Sequence, residues 1–239
     1  KTNLKKIKKF NPEILIHLGW ENIPNYTIKN SNKNLKDQKI FFKKIFKLKV
    51  LKKIIVKWRC SEKKNKFNFT SLYFVNAKKK LKKYLEINCK KLNIKFIWLR
   101  LFFIFGKHQK NQSLIPYIIS SIKNQKKFTL NNPNVINDFI DVQNVCKLIK
   151  KLIFNYKKNI TVDVGSGYGY KVKDIAKFLE NLRLKKKAAI KKYKKNNFVA
   201  NTLKLKKIIK MKNFYNIEKS LKINYKNYTW LIMSQPKHL

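Results

Sequence analysis

Glycine and proline are scarce in this sequence, five of each among 239 residues, which excludes a collagen-like or linker-dominated chain. Only three cysteines occur, Cys60, Cys89 and Cys146, widely spaced and with no CxxC pair. With just three histidines beside them, neither a disulfide scaffold nor a structural zinc site is expected, and no metal site is assigned. Acidic residues number 11 against 59 Lys plus Arg, for a formal charge of +48. No apolar run reaches the ~20 residues that span a bilayer, and no signal-peptide pattern is present, so a cytoplasmic protein is expected. The first residue is Lys rather than Met, which fits a fragment of a longer chain.

What is present is a core. Hydrophobic residues make up 44% and aromatics 13%, which argues against disorder despite 29% charged residues. The lysines are spread along the whole chain, from Lys5 and Lys6 to Lys222 and Lys226, while Arg59, Arg100 and Arg183 are the only arginines. A nucleic-acid site gathers its charge on one face and uses arginine as the better fork. The abundance of Lys, Asn, Ile and Phe instead matches codon drift in an AT-rich genome. Nucleic acid and membrane are therefore not expected as partners, although the field favours anionic ligands. A polyanion-binding protein stays open as a lesser reading, to be judged by the salt dependence of its binding.

Periodicity gives an alternating order. Residues 12–19 read as a buried strand, 34–50 as a helix, 54–58 as a strand, 71–89 as an amphipathic helix and 94–102 as a third strand. This order implies parallel pairing with right-handed crossovers. Beyond Lys107, residues 114–122, 142–154 and 172–182 read as helices and 161–164 as a strand. The fold expected is α/β, a Rossmann-type doubly wound parallel sheet lacking its N-terminal part, with a small C-terminal substrate-binding lobe. The division expected is a partial dinucleotide-binding domain over 1–106 and a mixed C-terminal part over 107–239.

Several segments carry a more specific pattern: Ile16-His17-Leu18-Gly19-Trp20, Arg100-Leu-Phe-Phe-Ile-Phe-Gly106, Asn137-Asp138-Phe139-Ile140, and Val164-Gly165-Ser166-Gly167. In this order they resemble the extended short-chain dehydrogenases, the NAD(P)-dependent nucleotide-sugar epimerases, dehydratases and reductases, over about residues 12–232. The stretch around Pro24 is similar to the 4-keto-sugar reductases. The resemblance implies hydride transfer at a sugar carbon, with NAD or NADP as cofactor (NAD favoured) and a nucleotide-sugar substrate. It also implies a homodimer through the helices at 34–50 and 72–89.

By the same resemblance Leu18, Gly19, Trp20, Lys78 and Phe102 would hold the cofactor, and Phe103, His108 and Asn137 the substrate. Catalysis would fall to Tyr73, Lys78 and Ser61, with Cys60 the register alternative to Ser61. The family's Gly-x-x-Gly-x-x-Gly does not precede the first strand here. Its Tyr-x-x-x-Lys spacing is also altered. Tyr73 and Lys78 are five residues apart, about 140° out of phase on a regular helix, and Phe74 stands in the lysine's phase. Either a one-residue bulge restores Tyr73 or the acid–base group is lost, which leaves a catalytically silent sugar-nucleotide-binding homologue as the alternative. Trp58 and Arg59, where the family has smaller residues, are a bulky change beside a cofactor. Asp163-Val-Gly-Ser-Gly-Tyr-Gly169 also resembles the first motif of S-adenosylmethionine methyltransferases, a lesser reading because only about 70 residues follow it.

Overall fold

The computed structural model describes residues 4–23, 25–59, 69–194, 198–210, 214 and 216–233. The chain divides into two compact units, Lys1–Arg100 with Asn155–Val162, and Leu101–Phe154 with Asp163–Leu239. The α/β class and the Rossmann-type sheet read from the sequence are found. A four-stranded sheet runs in the order β1 (Ile14–His17), β2 (Lys53–Arg59), β3 (Lys95–Leu101) and β7 (Ile160–Val164). β1 pairs with β2 in parallel, Ile14 opposite Lys53 and His17 opposite Val56.

In the first unit, β2 buries Ile54, Ile55 and Val56 in succession, and β3 buries Phe96, Ile97, Trp98 and Leu99. Unbroken apolar strands of this kind suit a sheet covered on both faces. The crossovers are α2 (Ile28–Ile45) and α3 (Phe69–Lys91). α2 starts where Thr27 caps it, its hydroxyl accepting the Asn30 N–H at 3.4 Å. It therefore begins six residues before the periodicity suggested and ends at Ile45, ahead of Val50. Phe42 and Ile45 from α2 meet Leu81 and Leu85 from α3 in one core with Trp58 and Trp98. Each such side chain, taken fully out of water, contributes about 1.5–3 kcal/mol. A short helix, α1 (Leu4–Phe10), precedes β1 and had no apolar periodicity to announce it.

The second unit is built on α4 (Leu114–Lys123), α5 (Val142–Asn155), α6 (Val172–Arg183), α7 (Leu203–Ile208) and α8 (Ile217–Met233). Ile115, Ile118, Ile119 and Ile122 of α4, and Val172, Ile175, Ala176 and Leu179 of α6, fall at i, i+3, i+4 and i+7 and share a core. The strand expected over 94–102 is found as β3, Lys95–Leu101. After β3 the chain continues as β4 (Phe103–Phe105), which pairs in parallel with β6 (Phe139–Asp141). The change comes at Phe102, whose N–H donates to the Val164 carbonyl, while the Phe103 N–H donates to that of Asp138. Partner choice, not propensity, ends β3. A two-stranded antiparallel pair, β5 (Ile136–Asn137) with β8 (Tyr170–Lys171), completes the unit. α8 was not read from the sequence, because its lysines and asparagines blur the apolar stripe.

Candidate active site

In the first unit, β1 ends at His17 and the chain turns outward. Leu18 is 57% exposed. A Cβ built on Gly19 would meet only His17 Nε2, at 3.8 Å, so internal packing does not demand glycine here. His17 itself is buried and its pKa is lowered to about 4, first by burial and then by the charge of Lys78, against an interaction with the Gln38 side chain that raises it. It is a neutral core histidine, as its place at a strand end suggested.

Lys78 lies on α3, 5% exposed. Its ammonium sits 3.8 Å from the centre of the Trp20 ring and 5.3 Å from that of Trp58. Burial, followed by the charge of Lys57, lowers its pKa to about 7. Phe74, one turn before Lys78, completes an aromatic enclosure. Its ring stacks on Trp58 at 5.8 Å, meets Trp20 edge-on at 5.5 Å and lies 4.8 Å from Tyr26. Trp58 is therefore a core residue between α3 and β3, 1% exposed, rather than a ring at the open edge.

α3 is continuous α-helix from Phe69 to Lys91, with no bulge between Tyr73 and Lys78. Tyr73 consequently projects about 140° from Lys78, half-buried, while Phe74 shares the lysine's face. Trp20 is thus brought into contact with Lys78, with Leu18 and Gly19 preceding it in the chain, while Tyr73 lies about 140° away around α3. Ser61, Cys60 and Pro24 lie outside the described residues.

In the second unit, Phe102 is buried, and Phe103 is half-buried with its ring 5.7 Å from Phe139. His108 is exposed on a turn, with φ +66°. Asn137 is buried on β5, opposite Tyr170 of β8.

The residue that organises these loops was not singled out from the sequence. Asp138 is fully buried. Its Oδ1 accepts the Ser166 N–H and the Ser166 hydroxyl, both at 2.7 Å. Its Oδ2 accepts the N–H groups of Gly167 at 2.9 Å and Ala200 at 3.1 Å. A Cβ on Gly165 would come 2.5 Å from Oδ2, so glycine is required for this approach. The Gly-Ser-Gly turn thus spends its backbone donors on a carboxylate of its own chain, which removes the basis of the methyltransferase likeness. The motif located Asp138, but no local pattern reveals a partner 28 residues away. A cavity of about 580 Å3 opens beside this turn, among Tyr168, Lys192, Lys206, Thr202 and Asn216.

Among the described residues, no helix is long and apolar enough to cross a membrane, and no group of three His, Cys, Asp or Glu side chains could hold a metal ion.

Residues 61–165 match the NAD dependent epimerase/dehydratase family. GDP-6-deoxy-D-talose 4-dehydrogenase of Aggregatibacter actinomycetemcomitans is 33% identical over 82 residues, covering 34% of this chain. The chain spans only 28% of that relative's length. Among solved structures, a GDP-L-fucose synthetase from Naegleria fowleri superposes with a TM-score of 0.80 at 12% identity, over 98% of this chain and 82% of the other. UDP-glucose 4-epimerase with UDP-glucose from Thermotoga maritima gives 0.75 at 14% identity, over 96% and 82%. At such identities the two structures speak for the fold alone. Residues 61–165 are thus similar to the NAD dependent epimerase/dehydratase family, and the chain shares the Rossmann-type α/β fold of these two solved structures.

Proposed function

We propose that this protein belongs to a cytoplasmic, NAD(P)-dependent enzyme of nucleotide-sugar metabolism that transfers hydride at a sugar carbon, with NAD favoured over NADP. The observation that carries the reading is Lys78. A buried amine on α3, inside the segment that matches the family, stands beside the end of β1, where Gly19 leaves its Cβ side open. That open side suits a close backbone approach by a dinucleotide, and an amine with a pKa of about 7 is a ready donor to a ribose hydroxyl. The residues present therefore fit the nicotinamide half of a cofactor. When bound, the nicotinamide ring supplies the chemistry of accepting and returning hydride.

Leu18 and Gly19 would line the cofactor's face of the first unit, with Trp20 beside it, and Lys78 would orient its ribose. Phe102 would lie at the cofactor, and Phe103, His108 and Asn137 would meet the substrate. Ser61 would hold the reacting sugar oxygen by a hydrogen bond. Tyr73 would exchange the proton on that oxygen, which requires the first turns of α3 to rewind by one residue, because Phe74 has no hydroxyl to offer. The curated relative and both solved structures named above act on nucleotide sugars by their names, which supports the substrate class. Exposed Ile40 on α2 and exposed Leu72 and Ile87 on α3 support pairing of two copies through these helices, which light scattering at moderate salt would read as a doubled mass.

The test is a fluorescence titration with NADH and NADPH at moderate salt, followed by turnover of nucleotide 4-keto sugars by the wild type, Lys78→Ala and Tyr73→Phe. Saturable binding that Lys78→Ala weakens, with turnover lost in Tyr73→Phe, is the expected result. Unchanged turnover in Tyr73→Phe would remove its proton role. Binding without any turnover would make the protein a silent nucleotide-sugar-binding homologue.

A further inference from the structure

Two rings enclose the Lys78 ammonium, Trp58 fully buried and Trp20 half-buried against the same core. Trp58 belongs to β2 and the core, stacked on Phe74. Trp20 belongs to the turn after β1, half-buried, and makes the closer contact at 3.8 Å. Its neighbours in the chain are open, with Leu18 exposed and the Cβ side of Gly19 facing nothing but His17 Nε2. One residue beyond Trp20 the turn is fastened. Buried Asn34 of α2 accepts the Glu21 N–H through Oδ1 at 2.9 Å and donates from Nδ2 to the Glu21 carbonyl at 3.3 Å. A permissive glycine thus stands on one side of the indole and a two-point latch on the other.

We propose that Trp20 is a displaceable lid, pivoting at Gly19 and latched through Asn34, which covers the Lys78 amine and must swing aside before a ligand hydroxyl can reach it. The ammonium over the indole face supplies the closing force, since a desolvated cation on an aromatic face is held more strongly than an exposed one. The lowered pKa of the same amine agrees with its enclosure. The lid follows from distances and burial alone. That its competitor is the ribose of a dinucleotide rests on the function proposed above.

The first experiment reads the lid without any cofactor. Brief acetylation at pH 7 followed by peptide mass spectrometry would compare Lys78 with exposed Lys83 on the same helix, in wild type, Trp20→Ala and Trp20→Phe. A pKa of about 7 leaves about half of the Lys78 amines unprotonated at pH 7, so Lys83 serves only as the internal reference and the change of the ratio between variants reads the lid. Trp20→Ala should raise the Lys78 to Lys83 ratio about tenfold, and Trp20→Phe, which keeps a ring, should stay near the wild type. Asn34→Ala, which removes the latch and leaves the indole in place, should raise the ratio partway. An unchanged ratio in Trp20→Ala with retained circular dichroism would overturn the proposal.

The second experiment titrates NADH into the same proteins. Tighter binding by Trp20→Ala than by wild type is expected, because the ligand no longer displaces the indole. Weaker binding would overturn the competition and make Trp20 part of the ligand's own wall. Absence of binding in every variant would sink the cofactor reading, and the labelling ratio would still decide the lid.

Discussion

Asp138→Asn is the most direct probe of what holds the second unit together. The carboxylate accepts four hydrogen bonds, two on each oxygen, from Ser166, Gly167 and Ala200. An asparagine has one accepting oxygen. Whichever way its amide turns, one pair of donors faces an NH2 group. With the NH2 group toward Ser166, the hydroxyl can donate to the Tyr168 carbonyl and accept from the amide, leaving the Ser166 N–H unsatisfied, so the substitution should destabilise by about 1–3 kcal/mol.

The pH dependence adds a sign. Burial holds the Asp138 pKa up at about 6, against the opposing pull of the hydrogen bonds from Ser166, Ala200 and Gly167 and from an ordinary value of 3.8. The folded state therefore binds the proton more tightly than the unfolded chain. The resulting stability is present below pH 3.8 and is lost as pH rises to about 6, an interval worth at most about 3 kcal/mol. Urea unfolding of both proteins between pH 3.5 and 7 isolates this contribution as a difference, and amide exchange at Ser166, Gly167 and Ala200 localises it. The wild-type advantage should be largest near pH 4 and shrink toward pH 6. An advantage that grows with pH would show that the four donors outweigh burial and would refute the reasoning.

Three further outcomes follow from the same structure. His17, with its pKa lowered to about 4 by burial and then by Lys78, contributes stability that is present above pH 6.5 and lost as pH falls through about 4. Its ring proton resonance should titrate near 4, and Lys78→Met should move that midpoint upward; a wild-type midpoint near 6.5 would contradict the burial. Gly165→Ala places a methyl group 2.5 Å from Asp138 Oδ2 and 2.6 Å from the Ala200 Cβ, which should cost about 1–3 kcal/mol in urea unfolding. Gly19→Ala, whose new methyl group meets only His17 Nε2 at 3.8 Å, should stay within about 0.5 kcal/mol.

The sequence by itself determined the α/β class, the strand–helix alternation and the position of most elements, because these follow from local periodicity. The unbroken apolar run from Phe96 to Leu99 marks a doubly covered strand, and the i, i+3, i+4, i+7 isoleucines of α4 mark a helix face, whatever surrounds them. The phase of Tyr73 against Lys78 was legible too, from 100° per residue, and only whether a bulge corrected it was open; α3 runs through without one. Tertiary structure alone decided the rest. Strand β3 stops at Leu101 because Phe102 and Phe103 find the carbonyls of Val164 and Asp138, partners 62 and 35 residues away. The Gly-Ser-Gly turn donates to Asp138, and Trp58 stacks on Phe74 in the core, for the same reason. Trp20 and Lys78 are separated by 58 positions, so their contact exists only once β1 and α3 are packed. Pairings of this kind depend on how elements are stacked in space, and no local window of sequence carries that information.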